Sequence, residues 1–262
     1  MQDDHPMPVP NGAPGDAAWD RLTRRVRDAF DPNPLYDPLV APPEADDGCF
    51  VLGRIAQSLD GRIALPDGRS RWISGPEDIV HTHRLRALAD AVVVGCGTVR
   101  ADDPQLTTRL VAGRSPVRVV LDPRRALGDG YRVFGDGGAT LLACARAAGG
   151  PARHGGAEVL ALPCDSDGLD LRALLAALRA RGLRRLFVEG GGVTVSRFLA
   201  AGAFDRLHVT IAPLLLGCGV PAFTLPPAPC LSEALRFAWR AHRVGDDLLL
   251  DVPLARTCRA AS

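Results

Sequence analysis

The chain has 262 residues, of which 31 are basic and 30 acidic, giving a formal net charge of +1 with 47% hydrophobic residues. That length can bury a substantial core, and the even charge balance excludes a dedicated nucleic-acid surface, which would carry a clustered basic excess. Every basic residue is arginine, and the lack of lysine rules out Schiff-base chemistry and a Walker A phosphate loop, both of which need that amine.

No stretch approaches the ~18 consecutive apolar residues that span a bilayer. The opening residues lack the basic and apolar regions of a secretory signal. The seven cysteines form no C-x-x-C pair, and an odd count suits reduced thiols. A soluble, cytoplasmic protein with no metal site and no membrane partner is expected.

Residues 1–47 are rich in Pro, Asp, Ala and Gly, with one short helix predicted over 19–30. They read as an N-terminal arm packed on the domain or on a second subunit, leaving 48–262 as the domain proper. A first strand starts at Cys49. A helix follows over 76–90, with Pro76 at its start, and then the apolar run Ala91-Val-Val-Val-Gly, typical of a strand buried on both faces. Further strands are predicted over 117–122, 139–143, 158–162 and 184–189, with a helix over 169–181 between the last two. Such alternation implies βαβ units and a mostly parallel sheet. Residues 206–212 alternate with period two, and 235–244 and 248–254 flank Gly-Asp-Asp as a hairpin. The expected class is α/β: a mostly parallel twisted sheet flanked by helices, with antiparallel strands at the C-terminal end.

In an open α/β sheet ligands bind beyond the carboxyl ends of the strands, and four segments there carry more chemistry than packing needs. In the first, Ser70 with its arginine neighbours suits a phosphate and Trp72 a flat ring, although a polar turn beside a core tryptophan accounts for both. In the second, Gly95-Cys-Gly-Thr opens a helix directly after a strand, an anion site by its position; Thr98 as a helix cap and the Asp102 turn have ordinary structural readings too. In the third, Arg124 and Arg125 follow Pro123 at a strand end, either reading a nucleotide phosphate or forming a solvated pair. In the fourth, Gly190, Gly191 and Gly192 are contiguous, which is costly in entropy unless backbone must approach something closely. The spacing departs from the G-x-G-x-x-G dinucleotide fingerprint, so an ordinary Rossmann enzyme is disfavoured.

Together these segments resemble the reductase domain of bacterial riboflavin deaminase-reductases. The shared motifs are S-L-D-G-R at 58–62, G-x-G-T-V-x-x-D-D-P-x-L-T-x-R at 95–109, R-V-V-L-D at 118–122, V-E-G-G at 188–191 and D-R-L-H-V-T-I-A-P-L-L-L-G at 205–217. The resemblance implies a dihydrofolate-reductase-like fold, a homodimer, and NADPH-dependent reduction of the ribosyl group of 5-amino-6-(5-phosphoribosylamino)uracil or its 2,5-diamino precursor. It implies substrate contacts from Ser70, Arg86, Leu106, Arg109 and Glu189. It implies cofactor contacts from Ala56, Trp72, Thr98, Asp102, Gly191, Gly192, Val193, Thr194, Val195, Ser196 and Arg197. Pro123 stands where some relatives carry a serine, so Arg124 is expected to read the cofactor's 2′-phosphate. The N-terminal residues lack a deaminase zinc signature, and a reductase alone is expected. No catalytic acid is evident; Asp60 fits a turn better. Two other readings remain: a reductase of another pterin- or pyrimidine-like compound, and a non-catalytic nucleotide-binding protein.

Overall fold

Alternation of aliphatic residues, with period two inside each run, dictates a sheet that packs both of its faces. In the computed structural model, which describes residues 19, 33–45, 47–70, 73–135, 138–166 and 168–257, a short helix α1 (Asp37–Val40) precedes strand β1 (Phe50–Ser58) and the small strand β2 (Arg62–Ala64). Helix α2 (Pro76–Leu88) leads into β3 (Ala91–Gly95), and α3 (Cys96–Asp102) follows without a break. Next come β4 (Val117–Leu121), α4 (Arg132–Gly135), β5 (Thr140–Ala145), β6 (Arg153–His154) and β7 (Ala157–Leu162). The two-residue strands β8 (Cys164–Asp165) and β9 (Gly168–Leu169) then lead to α5 (Leu171–Ala180), β10 (Arg185–Glu189) and α6 (Gly192–Ala200). The chain ends through β11 (Arg206–Ala212), β12 (Val220–Pro221), β13 (Arg240–Val244) and β14 (Asp247–Pro253).

Ten strands form the main sheet in the order β13-β14-β11-β1-β10-β3-β4-β5-β7-β6. The seven from β11 to β7 are mutually parallel, while β14, β13 and β6 are antiparallel additions. The expected class is what the chain adopts. Strand β10 returns late to fill the gap between β1 and β3, and β11 goes to the far side of β1, so the strand order reverses at the centre. Such a switch opens a crevice at the carboxyl ends.

Successive residues of each central strand face opposite layers. Val51, Val93, Leu186 and Val188 join Leu174, Leu178 and Phe198 from α5 and α6. Leu52, Val92, Val94 and Phe187 join Leu85 of α2, Phe134 and the N-terminal residues Tyr36 and Leu39. Of the helix predicted over 19–30, only Trp19 lies among the described residues; it is buried and its indole donates to the Ala112 carbonyl at 2.7 Å. The first arm of the predicted hairpin shrinks to Arg240–Val244. Its partner strand ends at Pro253, which has no N–H to extend the ladder, and residues 235–239 stay outside the sheet.

Helix α2 departs from an amphipathic pattern because its inner face is polar. Arg54 pairs with the buried Asp78, whose other oxygen accepts from Thr210 at 2.8 Å. The Tyr36 hydroxyl meets His81 Nδ1 at 2.7 Å, and His81 Nε2 meets His208 Nδ1 at 3.2 Å. His208 faces Asp251, which Arg206 also grips.

Burial holds His81, His83 and His208 below the ordinary histidine range, His83 down to about 3 with further help from Arg86. These rings therefore stay neutral in the folded chain at pH values where the unfolded chain, with an ordinary pKa of about 6.5, takes up protons. Unfolding binds protons in that window, so stability present above about pH 6.5 is lost as pH falls toward 3. Melting temperature should drop steadily between pH 7 and pH 5, with proton uptake seen by calorimetry in buffers of different ionisation enthalpy. A flat profile would contradict the assignment.

Candidate active site

A cavity of about 750 Å³ opens at the carboxyl ends of β1, β10, β3 and β4. Ile55 and Ala56 enter it from β1, Gly95 to Thr98 from the β3–α3 junction, Leu121 and Pro123 from the end of β4, and Glu189 to Thr194 from the β10–α6 turn. The antiparallel pair β2–β12 adds Ala64, Val220 and Pro221 as a further wall. The walls are mainly apolar with a few convergent polar groups, the usual character of a small-molecule site.

Glu189 is the last residue of β10 and stands beside Arg54 in register. Its carboxylate lies against the cavity, and both oxygens accept from the Arg86 guanidinium, one of them from Nε at 2.7 Å. Burial works to raise the carboxyl pKa, but the Arg86 charge and hydrogen bonds prevail and hold it below the usual range. Glu189 is thus an ionised acceptor at neutral pH. Arg86 also donates to the Thr107 carbonyl at 3.0 Å, fastening the loop after α3. In that loop Leu106 is fully buried, lines the cavity and sits at φ 57°, a left-handed conformation that costs a non-glycine residue about 1–3 kcal/mol. Beside it, the Arg109 backbone N–H donates to His83 Nδ1 at 3.1 Å.

The glycine turn has reasons in packing before any ligand is considered. Gly190 and Gly191 have φ of 83° and 64°. A Cβ on Gly191 would come 2.8 Å from the Thr98 hydroxyl, and one on Gly192 2.6 Å from the Pro221 carbonyl. The turn therefore seats α6 against both the β3–α3 junction and β12, which holds its exposed backbone edge at the cavity.

Of the residues the sequence points to, Ala56, Ser70, Thr98, Asp102, Leu106, Glu189, Gly191, Gly192, Val193, Thr194 and Arg197 come together around this cavity. Ser70 Oγ donates to Asp102 at 3.1 Å across the mouth. Arg86 stands behind the wall, spent on Glu189 and Thr107, and Arg109 is exposed outside the enclosed space. Val195 and Ser196 are buried on the far side of α6, where Ser196 Oγ accepts from the Thr224 N–H at 2.8 Å. Trp72 lies outside the described residues. Arg124 is exposed and off the wall, and Arg125 gives its guanidinium to the carbonyls of Gly149 and Arg153. Asp60 is a turn residue: Ser58, Leu216 and Gly217 all donate to it, led by the Ser58 hydroxyl, and hold its carboxyl down to about 2.

Arg54, Cys96, Arg100, Thr224 and the β2–β12 wall also line the cavity without having been expected there. Only for Arg100 was there a usable signal, four residues after Cys96 on one helix face.

A double-mutant cycle tests the Arg86–Glu189 pair. Arg86→Met and Glu189→Leu should each cost about 3–5 kcal/mol in urea unfolding, because each strands a buried charge, and the double mutant should cost much less than their sum. Additive losses would mean the pair is not coupled.

The sequence matches the family model of the RibD C-terminal domain over residues 50–242. It is 36% identical over 213 residues to the 2,5-diamino-6-ribosylamino-4(3H)-pyrimidinone 5′-phosphate reductase of Methanothermobacter thermautotrophicus, covering 77% of this chain and 96% of that one. Against riboflavin biosynthesis protein RibD of Mycobacterium tuberculosis it is 36% identical over 207 residues, covering 77% of this chain and 53% of the relative. The chain thus spans about half the length of that relative. A solved deaminase/5-amino-6-(5-phosphoribosylamino)uracil reductase from Thermotoga maritima superposes with a TM-score of 0.68 at 29% identity, covering 79% of this chain and 57% of that one. With a cavity built from the same strand ends that carry the shared motifs, and with most of its length matched, this chain belongs to the RibD C-terminal domain family.

Proposed function

We propose that this chain reduces the ribosyl group of 5-amino-6-(5-phosphoribosylamino)uracil, or of its 2,5-diamino pyrimidinone precursor, to the ribitylamino product, using NADPH. The observation that carries this reading is the ionised Glu189, fixed by Arg86 at the edge of a largely apolar crevice. An ionised carboxylate accepts hydrogen bonds only, and the exocyclic amino groups of an aminopyrimidine are donors. The Methanothermobacter and Thermotoga relatives, named for reduction of such compounds, support the same substrate class.

The lining fits a dinucleotide. Gly97 leaves open space above the β3–α3 junction, and the backbone edge of the 190–192 turn borders the same cavity. Thr98, Thr194, Gly191 and Gly192 would hold the diphosphate, while Ala56 and Ile55 would face the nicotinamide end. NADPH held there would supply the hydride for C1′ of the opened ribosylamine, with one proton from water completing the ribitylamine. The protein's part is orientation: Glu189 fixes the pyrimidine, Leu106 closes the wall, and the apolar lining excludes bulk water. Arg109, whose guanidinium feels the charges of Arg86 and Glu189, would meet the ribose phosphate.

We also infer a homodimer in the cytoplasm. Among the described residues no helix is long and apolar enough to cross a membrane. Leu231, Leu235, Phe237 and Trp239 are exposed on the segment leading into the edge strand β13, and exposed large apolar side chains concentrated on one segment are what an interface would cover. Light scattering should give a dimer that Phe237→Ser with Trp239→Ser weakens; an unaltered dimer or a wild-type monomer would remove this surface from the interface.

Activity is tested by following NADPH oxidation with the deaminated and undeaminated ribosylaminopyrimidine phosphates in turn. Turnover of one or both, with ribitylamine as product, is expected. Arg109→Ala should raise KM for the phosphorylated substrate by the equivalent of about 1.5–3 kcal/mol with kcat little changed. No turnover of either compound would refute the proposal.

A further inference from the structure

We propose that Arg100 is the residue that distinguishes NADPH from NADH, by pairing with the 2′-phosphate of the adenosine ribose. This rests on the cofactor reading above and deepens it.

Among the described residues three arginines line the cavity: Arg54, Arg100 and Arg197. Arg54 is buried against Asp78, and Arg197 donates to the Leu169 carbonyl at 3.2 Å. Arg100 is exposed and makes no hydrogen bond or ion pair to the described residues. A dianionic phosphate is what an unspent guanidinium binds best, because its planar fork offers paired donors and full charge.

The position of Arg100 along the crevice selects which phosphate it meets. Val99 is the buried anchor of α3. At about 100° per residue, Thr98 and Asp102 lie on one flank of Val99, and Cys96 and Arg100 on the other. The first flank faces the Ser70 loop, which Asp102 touches. The second faces the end of β4: Gly95, from which α3 starts, is in register with Leu121, and α3 contacts β4. Leu121 and Pro123 complete this end of the cavity. A dinucleotide with its diphosphate at Thr98 and the glycine turn, and its nicotinamide toward β1, extends its adenosine across β3 to β4. That leads its 2′-phosphate to Arg100 and away from the substrate pocket at Glu189.

Two other features favour this assignment. Pro123 has neither a hydroxyl nor an N–H to offer a phosphate. Asp122, which precedes it, is buried and accepts the Leu127 N–H at 2.8 Å.

The test compares binding of 2′,5′-ADP and 5′-AMP by isothermal titration, and kcat/KM for NADPH over NADH, in the wild type, Arg100→Ala, Arg100→Gln and Arg124→Ala. Arg100 is exposed, so both of its variants should fold, as circular dichroism would verify. We expect each Arg100 variant to lose at least ~10-fold in 2′,5′-ADP affinity and in the NADPH/NADH ratio, with 5′-AMP binding and NADH kinetics unchanged. The proposal is overturned if 2′,5′-ADP binds the Arg100 variants as tightly as the wild type. It is overturned equally if only Arg124→Ala changes the ratio, or if Arg100→Ala raises substrate KM while leaving the ratio intact. A wild type that binds neither nucleotide and oxidises neither cofactor would instead bring down the cofactor reading, and this proposal with it.

Discussion

One ion pair organises the reactive end of this molecule. Glu189 ends the central strand β10 and Arg86 rises from the last turn of α2 behind it. A carboxylate in so dry a place would otherwise be protonated, and a lone guanidinium there would be an uncompensated charge. Together they are tolerable, and each becomes useful. The carboxylate stays ionised and fixed in direction. The guanidinium has a spare N–H, which reaches Thr107 and so holds Leu106 in its left-handed conformation. Helix, strand and loop are thereby positioned by one group, and the shape of the cavity follows from it.

The same economy recurs deeper in the domain. Arg118 bonds Thr140 and the Gly138 carbonyl from a fully buried position. Arg256 joins Asp47, Asp205 and the Cys49 carbonyl. Each arrangement uses several donors of one rigid plane, which an ammonium on a flexible stem cannot imitate. The absence of lysine thus has consequences inside the protein as well as on its surface.

Much of this architecture was legible in the sequence. The strand over residues 91–95 follows from its apolar run, since a buried strand has little else to be made of, and that over 206–212 from its partial period-two alternation. Helix α2 was legible by its proline start, yet its inward face was not. The apolar Ile79 lines the cavity, whereas Asp78, His81 and Thr82 are buried. A hydrophobic pattern cannot announce a polar interior whose partners, such as Thr210 and His208, lie more than 120 residues away. At the site, the motifs located the strand ends correctly. They could not tell wall from scaffold: Arg86 looks from sequence like a free cation, and only the fold reveals that Glu189 occupies it. Pairings across the chain, including β2 with β12, were similarly out of reach, because strands of two or three residues carry no periodicity.

The fork of Arg185 donates to the carbonyls of Leu39, Val40 and Ala41. Arg185 is the first residue of β10, so the preceding segment is moored at the amino ends of the strands, the edge of the sheet remote from the crevice. Four residue steps of strand, roughly 13 Å at the usual rise, separate that mooring from Glu189. The segment 39–41 is therefore held at the end of the sheet away from the crevice, and a change at Arg185 bears on how that segment is seated while leaving the residues that line the cavity in place.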